Sequence, residues 1–441
     1  MKRSELVPII EGKTKILVPS VSLGNKIPTK KQPVFFNSAA KLNRDISIVA
    51  YNSYLSSSHF KIRKKKKNNN DNNNNIDLVF ADSLCGTGAR GLRVAVEVPA
   101  LSQVYLNDVN PLAIDVAKKA AMINSVFYKC RFSVNEVCKF LVDGVIGSNG
   151  GGERGGGRFA IVDLDPFGSP AMYVDCVTRS VLDGGLVSIT ATDTAVLCGK
   201  YPDVCLRKYY GRPLKNSYSN ETALRLLTSL ISLTSARLGI SICPLFAHIN
   251  MHYLRIYAKV VLSSQLANRV YENIGYLQHC YKCGNRGLSS ECTQLKSCEL
   301  CGGRFLFAGP LWTGKVFDKE FVKTMTLMMA SARTHNDDDT SNEAINNSKK
   351  NIFYLSGKSK NSDKNNIVNK LLSDSIQELD DIPYYFTSDE IASRLKCSPH
   401  SLDKIIENLS NAGFRTSKTS FNPTGFKTHA KINEIVSVLK E

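Results

Sequence analysis

From residue 79 onward the apolar positions fall into two alternating rhythms. Short runs rich in apolar residues stand at 79–81, 103–106, 131–134, 159–162 and 185–190, each too brief for a helix. Between them lie longer stretches with helical spacing, at 91–97, 111–124, 171–182 and 224–238. Two further runs, Ile240 to Phe246 and Leu254 to Leu262, follow one another with no helix between them. Strand-helix alternation predicts an α/β domain with a parallel sheet covered on both faces and an antiparallel hairpin at its end. In such sheets ligands sit beyond the C-terminal ends of the strands. The residues that follow each short run are therefore the ones to read for chemistry.

Four strand ends stand out. The first run enters Asp82-Ser83-Leu84-Cys85-Gly86-Thr87-Gly88, a turn whose glycines let the backbone approach a ligand closely. Gly86, Gly88 and Gly91 match the dinucleotide spacing, so a nicotinamide enzyme has to be considered. The acid at Asp82 departs from that fingerprint. An Asp-x-x-x-Gly-x-Gly turn is more typical of S-adenosylmethionine (SAM) enzymes. The second run ends in Asn107-Asp108, about 20 residues on, where a carboxylate can take ribose hydroxyls. The third ends in Asn135-Glu136, suited to the edge of an adenine ring. The fourth, Phe159 to Val162, leads into Asp163-Leu164-Asp165-Pro166-Phe167-Gly168. An acid, a rigid turn and an aromatic ring there can accept hydrogen bonds from an exocyclic amine while stacking on its base. A strand-to-helix turn with a buried Phe is the plainer reading of that string alone.

Charge narrows the partner. The 441 residues carry 57 Lys and Arg against 39 Asp and Glu, a net charge of +18, which favours a polyanion such as nucleic acid. No apolar stretch reaches the ~18 residues of a membrane span, and the N-terminus lacks the apolar segment of a signal peptide. The chain is expected to be intracellular, in nucleus or cytoplasm if eukaryotic, with its 13 cysteines as thiols or metal ligands rather than disulfides. Lys64 to Asn75 and His335 to Asn366 read as solvated, low-complexity insertions, and Gly147 to Gly157 as a flexible connection.

Past the hairpin, Cys280-Tyr281-Lys282-Cys283 and Cys298-Glu299-Leu300-Cys301 form two C-x2-C knuckles with 14 residues between them, each followed by glycine. That spacing predicts a four-thiolate Zn2+ site with a structural role. Cys292, between the knuckles, reads as a spare thiol. The last 60 residues predict two short helices, 388–395 and 401–411, then a strand, 413–419, with Arg415 and Lys418 facing outward. This pattern resembles a winged helix.

Taken together, these strings resemble the tRNA (guanine-N2)-dimethyltransferases nearly end to end. The resemblance rests on Glu11-Gly12-Lys13, Val34-Phe35-Phe36-Asn37, Leu42-Asn43-Arg44-Asp45, both turns above, Thr190-Ala191-Thr192-Asp193, Leu197-Cys198-Gly199, Cys205 to Tyr209 and Pro423-Thr424-Gly425. Asp163 to Pro170 is the most specific string. Asn37-Ser38-Ala39 departs from the Asn-Pro-Arg often found after the aromatic pair. The family implies a class I methyltransferase domain over 1–265, interrupted at 64–75, and a C-terminal tRNA-binding domain over 266–441. The latter would hold zinc knuckles at 280–301, the insertion at 335–366 and a winged-helix-like module at 382–441. It implies SAM across Asp82, Gly86, Gly88 and Arg90, with Asp108 on the ribose, Glu136 and Val137 near the adenine, and Arg44 at the amino-acid end. The target guanine of tRNA would be flipped out and clamped between Phe35 and Phe167. Its N2 amine would donate to Asp165 and to the Pro166 carbonyl. Arg207 and Lys208 would hold tRNA phosphates, and no obligate protein partner is implied. Two other functions fit the residues less fully: a different exocyclic-amine RNA methyltransferase (adenine N6 or ribosomal guanine N2), and a non-enzymatic zinc and winged-helix nucleic-acid binder.

Overall fold

A computed structural model of the chain describes residues 5–22, 33–60, 77–146, 158–292, 297–337 and 361–440. The insertion at 64–75 and the glycine run at 147–157 lie outside the described residues. A hairpin, β1 (Leu6–Glu11) and β2 (Thr14–Pro19), opens the fold, followed by helix α1 (Lys41–Ser56). The hairpin turn holds Gly12 at φ +59°, where a Cβ would meet the Glu97 carboxylate at 2.5 Å.

The alternating pattern then becomes β3 (Val79–Asp82), α2 (Ala89–Glu97), β4 (Gln103–Asn107), α3 (Pro111–Ile123), β5 (Cys130–Ser133), α4 (Val137–Ile146), β6 (Phe159–Leu164), α5 (Val174–Ser180) and β7 (Val181–Ala191). Short helices α6 (Thr194–Leu197) and α7 (Pro202–Tyr209) lead to α8 (Ser219–Ala236) and the hairpin β8 (Ile240–Asn250) and β9 (Tyr253–Leu262). Seven strands form one sheet in the order β5-β4-β3-β6-β7-β9-β8. β3 to β7 run parallel, while β9 is antiparallel to both β7 and β8. The central strands bury both faces, so β6 has no exposed residue at all. Helix starts follow local chemistry. Asn110 caps α3 through Leu112 N at 3.0 Å, ahead of Pro111.

Two expectations fail within this sheet. The helix read over 171–182 ends at Ser180, because Val181 and Leu182 already belong to β7; β-branched and apolar residues there extend the neighbouring strand instead. Cys138 and Cys176 are joined by a disulfide between α4 and α5, against the expectation of free thiols and metal ligands throughout.

After α9 (Ser264–Asn268) come β10 (Ile274–Cys280), β11 (Arg286–Ser289) and β12 (Phe305–Trp312), an antiparallel sheet carrying the cysteine knuckles. Helices α10 (Lys319–Asp337) and α11 (Asn361–Gln377) enter both ends of the span read as an insertion, so its limits at 335 and 366 were too wide. The final part holds β13 (Phe386–Thr387), α12 (Ser388–Leu395), α13 (Leu402–Asn411), β14 (Thr416–Lys418), β15 (Gly425–Thr428) and α14 (Ile432–Val438). Its strands pair in the order β13-β15-β14 over a separate core that includes Phe386, Ile391, Leu409 and Phe426.

A buried charged seam joins this last part to the large sheet. Lys427 on β15 reaches Glu221 on α8 at 2.7 Å and Glu378 at 2.9 Å, all three essentially without solvent. Glu221 also pairs with Arg225 at 2.8 Å, and Arg225 donates to the Trp312 and Gly314 carbonyls. Burial pushes the Glu378 carboxyl up, with Lys427 opposing. Replacing one member strands its partners, so Lys427→Met is expected to cost about 3–5 kcal/mol at neutral pH. The loss should shrink in mild acid, where Glu378 takes up a proton. Urea denaturation at two pH values checks both parts.

Candidate active site

The tips of β3, β4, β5 and β6 meet at the point where the sheet order reverses, between β3 and β6. After β3 the chain turns through Gly86 (φ +52°) and Gly88 (φ +79°), left-handed conformations that glycine adopts freely. A Cβ on Gly86 would meet the Phe35 carbonyl at 2.9 Å. A Cβ on Gly91 would meet Leu106 at 2.9 Å and Asp82 Oδ2 at 3.0 Å, so this glycine serves helix-to-strand packing. The turn is held from within. Asp82 Oδ2 accepts from Gly91 N at 2.9 Å, and Asp108 accepts from Gly86 N at 2.9 Å and Asn110 N at 2.9 Å. Asn107, read only as part of a strand tip, links three strand ends. Its side chain donates to the Ser83 and Asn135 carbonyls and accepts from Asn135 N. Glu136 is exposed and accepts from Lys139 N at 3.0 Å, the geometry of a helix cap on α4, while Val137 behind it is buried.

Beyond β6, Asp165 pairs with Arg90 on the first turn of α2 and is a quarter exposed at its side chain. Gly168 (φ +79°) has open space where a Cβ would stand, and its backbone is tied to β7 through Thr192 in both directions, at 2.6 and 2.9 Å. Phe167 is 72% exposed, the posture of a ring that awaits a partner rather than of a core residue. Phe35 reaches it from the other side, with ring centroids 4.3 Å apart and planes at 83°. The two rings thus meet edge to face and leave no slot for a base.

The sequence reading missed what lies beneath. Asp163 is fully buried and accepts from Tyr51, Ser188 and Arg255 on one oxygen, while Arg90 Nε stands 3.2 Å from the other. Arg255 on β9 also donates to the Tyr257 hydroxyl at 3.0 Å and to Tyr51 at 3.0 Å. Burial works against the charge on Asp163, but Arg255 and Arg90 outweigh it and hold the carboxyl below its usual range. Asp82 fares oppositely. Burial first, and the negative Asp163 second, push its carboxyl up to about 8. Only Arg255 in a mainly apolar strand, Leu254 to Leu262, whose other charge is Lys259, hinted at this cluster.

Several expected contacts point elsewhere. Arg44 is spent on Glu11, at 2.6 and 2.7 Å, and on the Asn37 carbonyl at 3.1 Å, with its guanidinium over the Phe36 ring. Arg90 turns toward the Asp163 and Asp165 carboxylates rather than the open side of the glycine turn. Lys208 stands 3.5 Å from Asp193, whereas Arg207 is exposed on the same helix. Arg415 and Lys418 meet Asp381 at 3.4 Å and Asp403 at 2.7 Å.

Away from this site, the sulfur atoms of Cys280, Cys283, Cys298 and Cys301 all lie within 4.8 Å of one another. Gly284 (φ +78°) and Gly302 (φ +67°) turn each knuckle, donating back to the Cys280 carbonyl at 2.7 Å and the Cys298 carbonyl at 2.8 Å. Cys292 stays exposed.

A seven-stranded sheet with this order, a glycine turn after its first parallel strand and carboxylates at the neighbouring tips define a Rossmann-like, SAM-dependent methyltransferase. The model of the N2,N2-dimethylguanosine tRNA methyltransferases matches residues 12–354 and 337–440. The tRNA (guanine(26)-N(2))-dimethyltransferase of Methanothermobacter thermautotrophicus is 32% identical over 98% of both chains. The tRNA (guanine(26)-N(2)/guanine(27)-N(2))-dimethyltransferase of Aquifex aeolicus is 31% identical over 70% of this chain and 72% of its own. The structure of Trm1 from Pyrococcus horikoshii with S-adenosyl-L-methionine superposes with a TM-score of 0.74 at 26% identity, covering 98% of this chain and 99% of that one. The chain belongs to the N2,N2-dimethylguanosine tRNA methyltransferase family. It is a methyltransferase, and its activity is the SAM-dependent methylation of guanosine N2 in tRNA. Among the described residues no helix is long and apolar enough to cross a membrane.

The raised Asp82 carboxyl has a consequence for stability. The folded chain keeps a proton there that the unfolded chain has released, so stability falls as pH rises from the ordinary carboxylate range to about 8. Asp82→Asn keeps an acceptor for Gly91 N and carries no titrating proton. Its denaturation midpoint, followed against pH, should lack the part of the decline that the wild type shows over that window. Parallel curves for the two proteins would mean that Asp82 is ionised in the fold.

Proposed function

We propose that the chain methylates N2 of guanosine at position 26 of tRNA, with Asp165 as the residue that receives the amine. The observation carrying this reading is the Asp165 carboxylate just past the end of β6, a quarter exposed, paired with Arg90 of the helix that follows the glycine turn and two residues before the exposed Phe167 ring. SAM would lie on Gly86 and Gly88, with Asp108 on the ribose and Glu136 at the adenine. The fit rests on the left-handed backbone of the turn at Gly86 and Gly88 and on the acids Asp82, Asp108 and Glu136 that end or follow three neighbouring strands. When bound, SAM supplies an electrophilic methyl group.

The chain's own residues then have defined tasks. A guanine paired and stacked inside tRNA is out of reach, so the base has to leave its stack. Phe35 and Phe167 part from their edge contact and take its two faces, trading one aromatic contact for two. Asp165 and the Pro166 carbonyl accept from the N2 protons. Those bonds return electron density to a nitrogen whose lone pair is otherwise drawn into the ring, and they aim it. Holding the amine in line supplies much of the rate. The methylated nitrogen gives up one proton to water, and the single N–H that remains can still be held by one of the two acceptors for a second transfer. Arg207, exposed near the β7 tip, is a phosphate contact, and Lys208 joins it by leaving Asp193.

The four cysteines would hold one Zn2+. Cys280 and Cys301, and Cys283 and Cys298, have sulfurs 3.5 Å apart, near the roughly 3.8 Å edge of a tetrahedron with ~2.3 Å Zn–S bonds. With four thiolates the metal has no open position and its task is structural. The terminal three helices and three-stranded sheet form a winged-helix module, whose outward bases Arg415 and Lys418 are matched by acids; packing against α8 is therefore its main role.

Asp165→Asn should bind SAM within about twofold of wild type, by calorimetry, yet lose at least about a hundredfold in single-turnover transfer to tRNA. Asp108→Ala should weaken SAM binding by about tenfold, the loss of one hydrogen bond to a charged group. Transfer at the wild-type rate by Asp165→Asn would end this assignment. Elemental analysis of protein purified without chelators should find one zinc per chain, and Cys298→Ser should lower both metal content and melting temperature.

A further inference from the structure

We infer that Arg90 is a positioning residue for methyl transfer, the link through which the buried Asp163 cluster sets the orientation of Asp165; this rests on the role of Asp165 given above. Arg90 sits on the first turn of α2, directly after the glycine turn, and only 6% of its side chain is exposed. Two of its three nitrogens hydrogen-bond, and the third stands within ion-pair range of a buried acid. Nε faces Asp163 Oδ1 at 3.2 Å, Nη1 donates to Asn43 at 3.2 Å and to Ser47 at 2.5 Å, and Nη2 donates to Asp165 Oδ2. The fork geometry of a guanidinium is rigid, so three fixed partners determine where the fourth must lie. Those partners are themselves fixed. Asn43 and Ser47 belong to α1, and Ser47 shares a hydrogen bond with Tyr257 at 2.9 Å. Asp163 is locked by Tyr51, Ser188 and Arg255. Asp165 therefore presents Oδ2 inward to a cation and leaves Oδ1 to face the quarter-exposed mouth. An isolated carboxylate at a strand end would rotate freely about its side-chain bonds. Here the rotation is arrested from below, and one oxygen is reserved for the amine.

The same geometry explains why two arginines surround one buried acid. Arg255 alone neutralises Asp163; Arg90 brings the second positive charge, which matches Asp165. The cluster thus pairs two carboxylates with two guanidinium groups, leaving no unmatched charge in the interior.

The test uses the full-length protein, with Arg90→Lys as the main variant. Lysine keeps the charge, and Arg255 still matches Asp163, so the fold should survive; an ammonium cannot reach both carboxylates and both α1 acceptors. Expected are a SAM affinity within about twofold of wild type, an unchanged KM for tRNA, and a kcat lower by about a hundredfold, the scale of a misplaced reacting group. In an Asp165→Asn background, adding Arg90→Lys should change the residual rate by less than about twofold, because both act on one contact. Wild-type kcat for Arg90→Lys, or losses of rate that follow losses of SAM affinity, would overturn the inference. So would losses that multiply in the double variant. Arg90→Met serves as a second arm, since guanidinium ion added to it should restore part of the rate; a stably folded Arg90→Met that gives no rescue counts against the assignment. Full activity in Asp165→Asn would instead remove the reading of Asp165 itself, a result separable from failure of the arginine variants alone.

Discussion

The ion cluster around Asp163 is the constraint on which the site depends. A carboxylate with no solvent access is tolerable only if it is paired and hydrogen-bonded. Meeting that condition takes α1, α2, β6, β7 and β9, because Tyr51, Arg90, Ser188 and Arg255 come from four different elements around the acid. The cluster works against ionisation of Asp82 next door and in favour of a fixed orientation for Asp165. Electrostatics that would be a burden in an ordinary core here locate the strand ends relative to one another. The α1 helix is drawn to the active centre by this demand, through Tyr51 on Asp163 and Asn43 and Ser47 on Arg90.

The surface of the site obeys a different logic. Its aromatic pair is exposed and self-associated, so each ring shields the other until a better partner arrives. Nothing polar has to be desolvated for them to separate. The cost is one edge-to-face contact, of the order of 1 kcal/mol. A soft surface over a rigid, charged base suits an enzyme that must admit an awkward substrate yet hold its amine in one direction.

Much of this was legible from residues. Glycine spacing, acids after apolar runs and the Asp165-Pro166-Phe167 string have local causes, and local causes leave local marks. The strand positions of the large sheet followed for the same reason, apart from Val181 and Leu182, whose neighbours mimic a helical rhythm; the opening hairpin and most of the short strands of the two later sheets were not read. What stayed hidden depends on distance along the chain. Glu11 and Arg44 are 33 residues apart, and Arg255 meets Asp163 across 92. An arginine in a mainly apolar strand gives no indication of which acid it serves. Arg44 was therefore assigned to a ligand when an internal acid claims it, and Arg90 was read with the glycine turn it follows. The facing rings of Phe35 and Phe167 were foreseeable as neighbours, but not their mutual angle, which only packing decides.

The seam of Lys427, Glu221 and Glu378 bears on how such a chain can be divided. The family resemblance puts a boundary near residue 265, yet α8 in the first part carries charges whose partners lie in the second. A fragment ending there would turn Glu221 and Arg225, with no solvent access in the whole chain, toward water beside freshly bared apolar surface. The two parts are thus one cooperative unit in folding even if their tasks differ. Recombination between relatives would have to exchange α8 together with the terminal sheet, so the inheritable module does not coincide with the functional one.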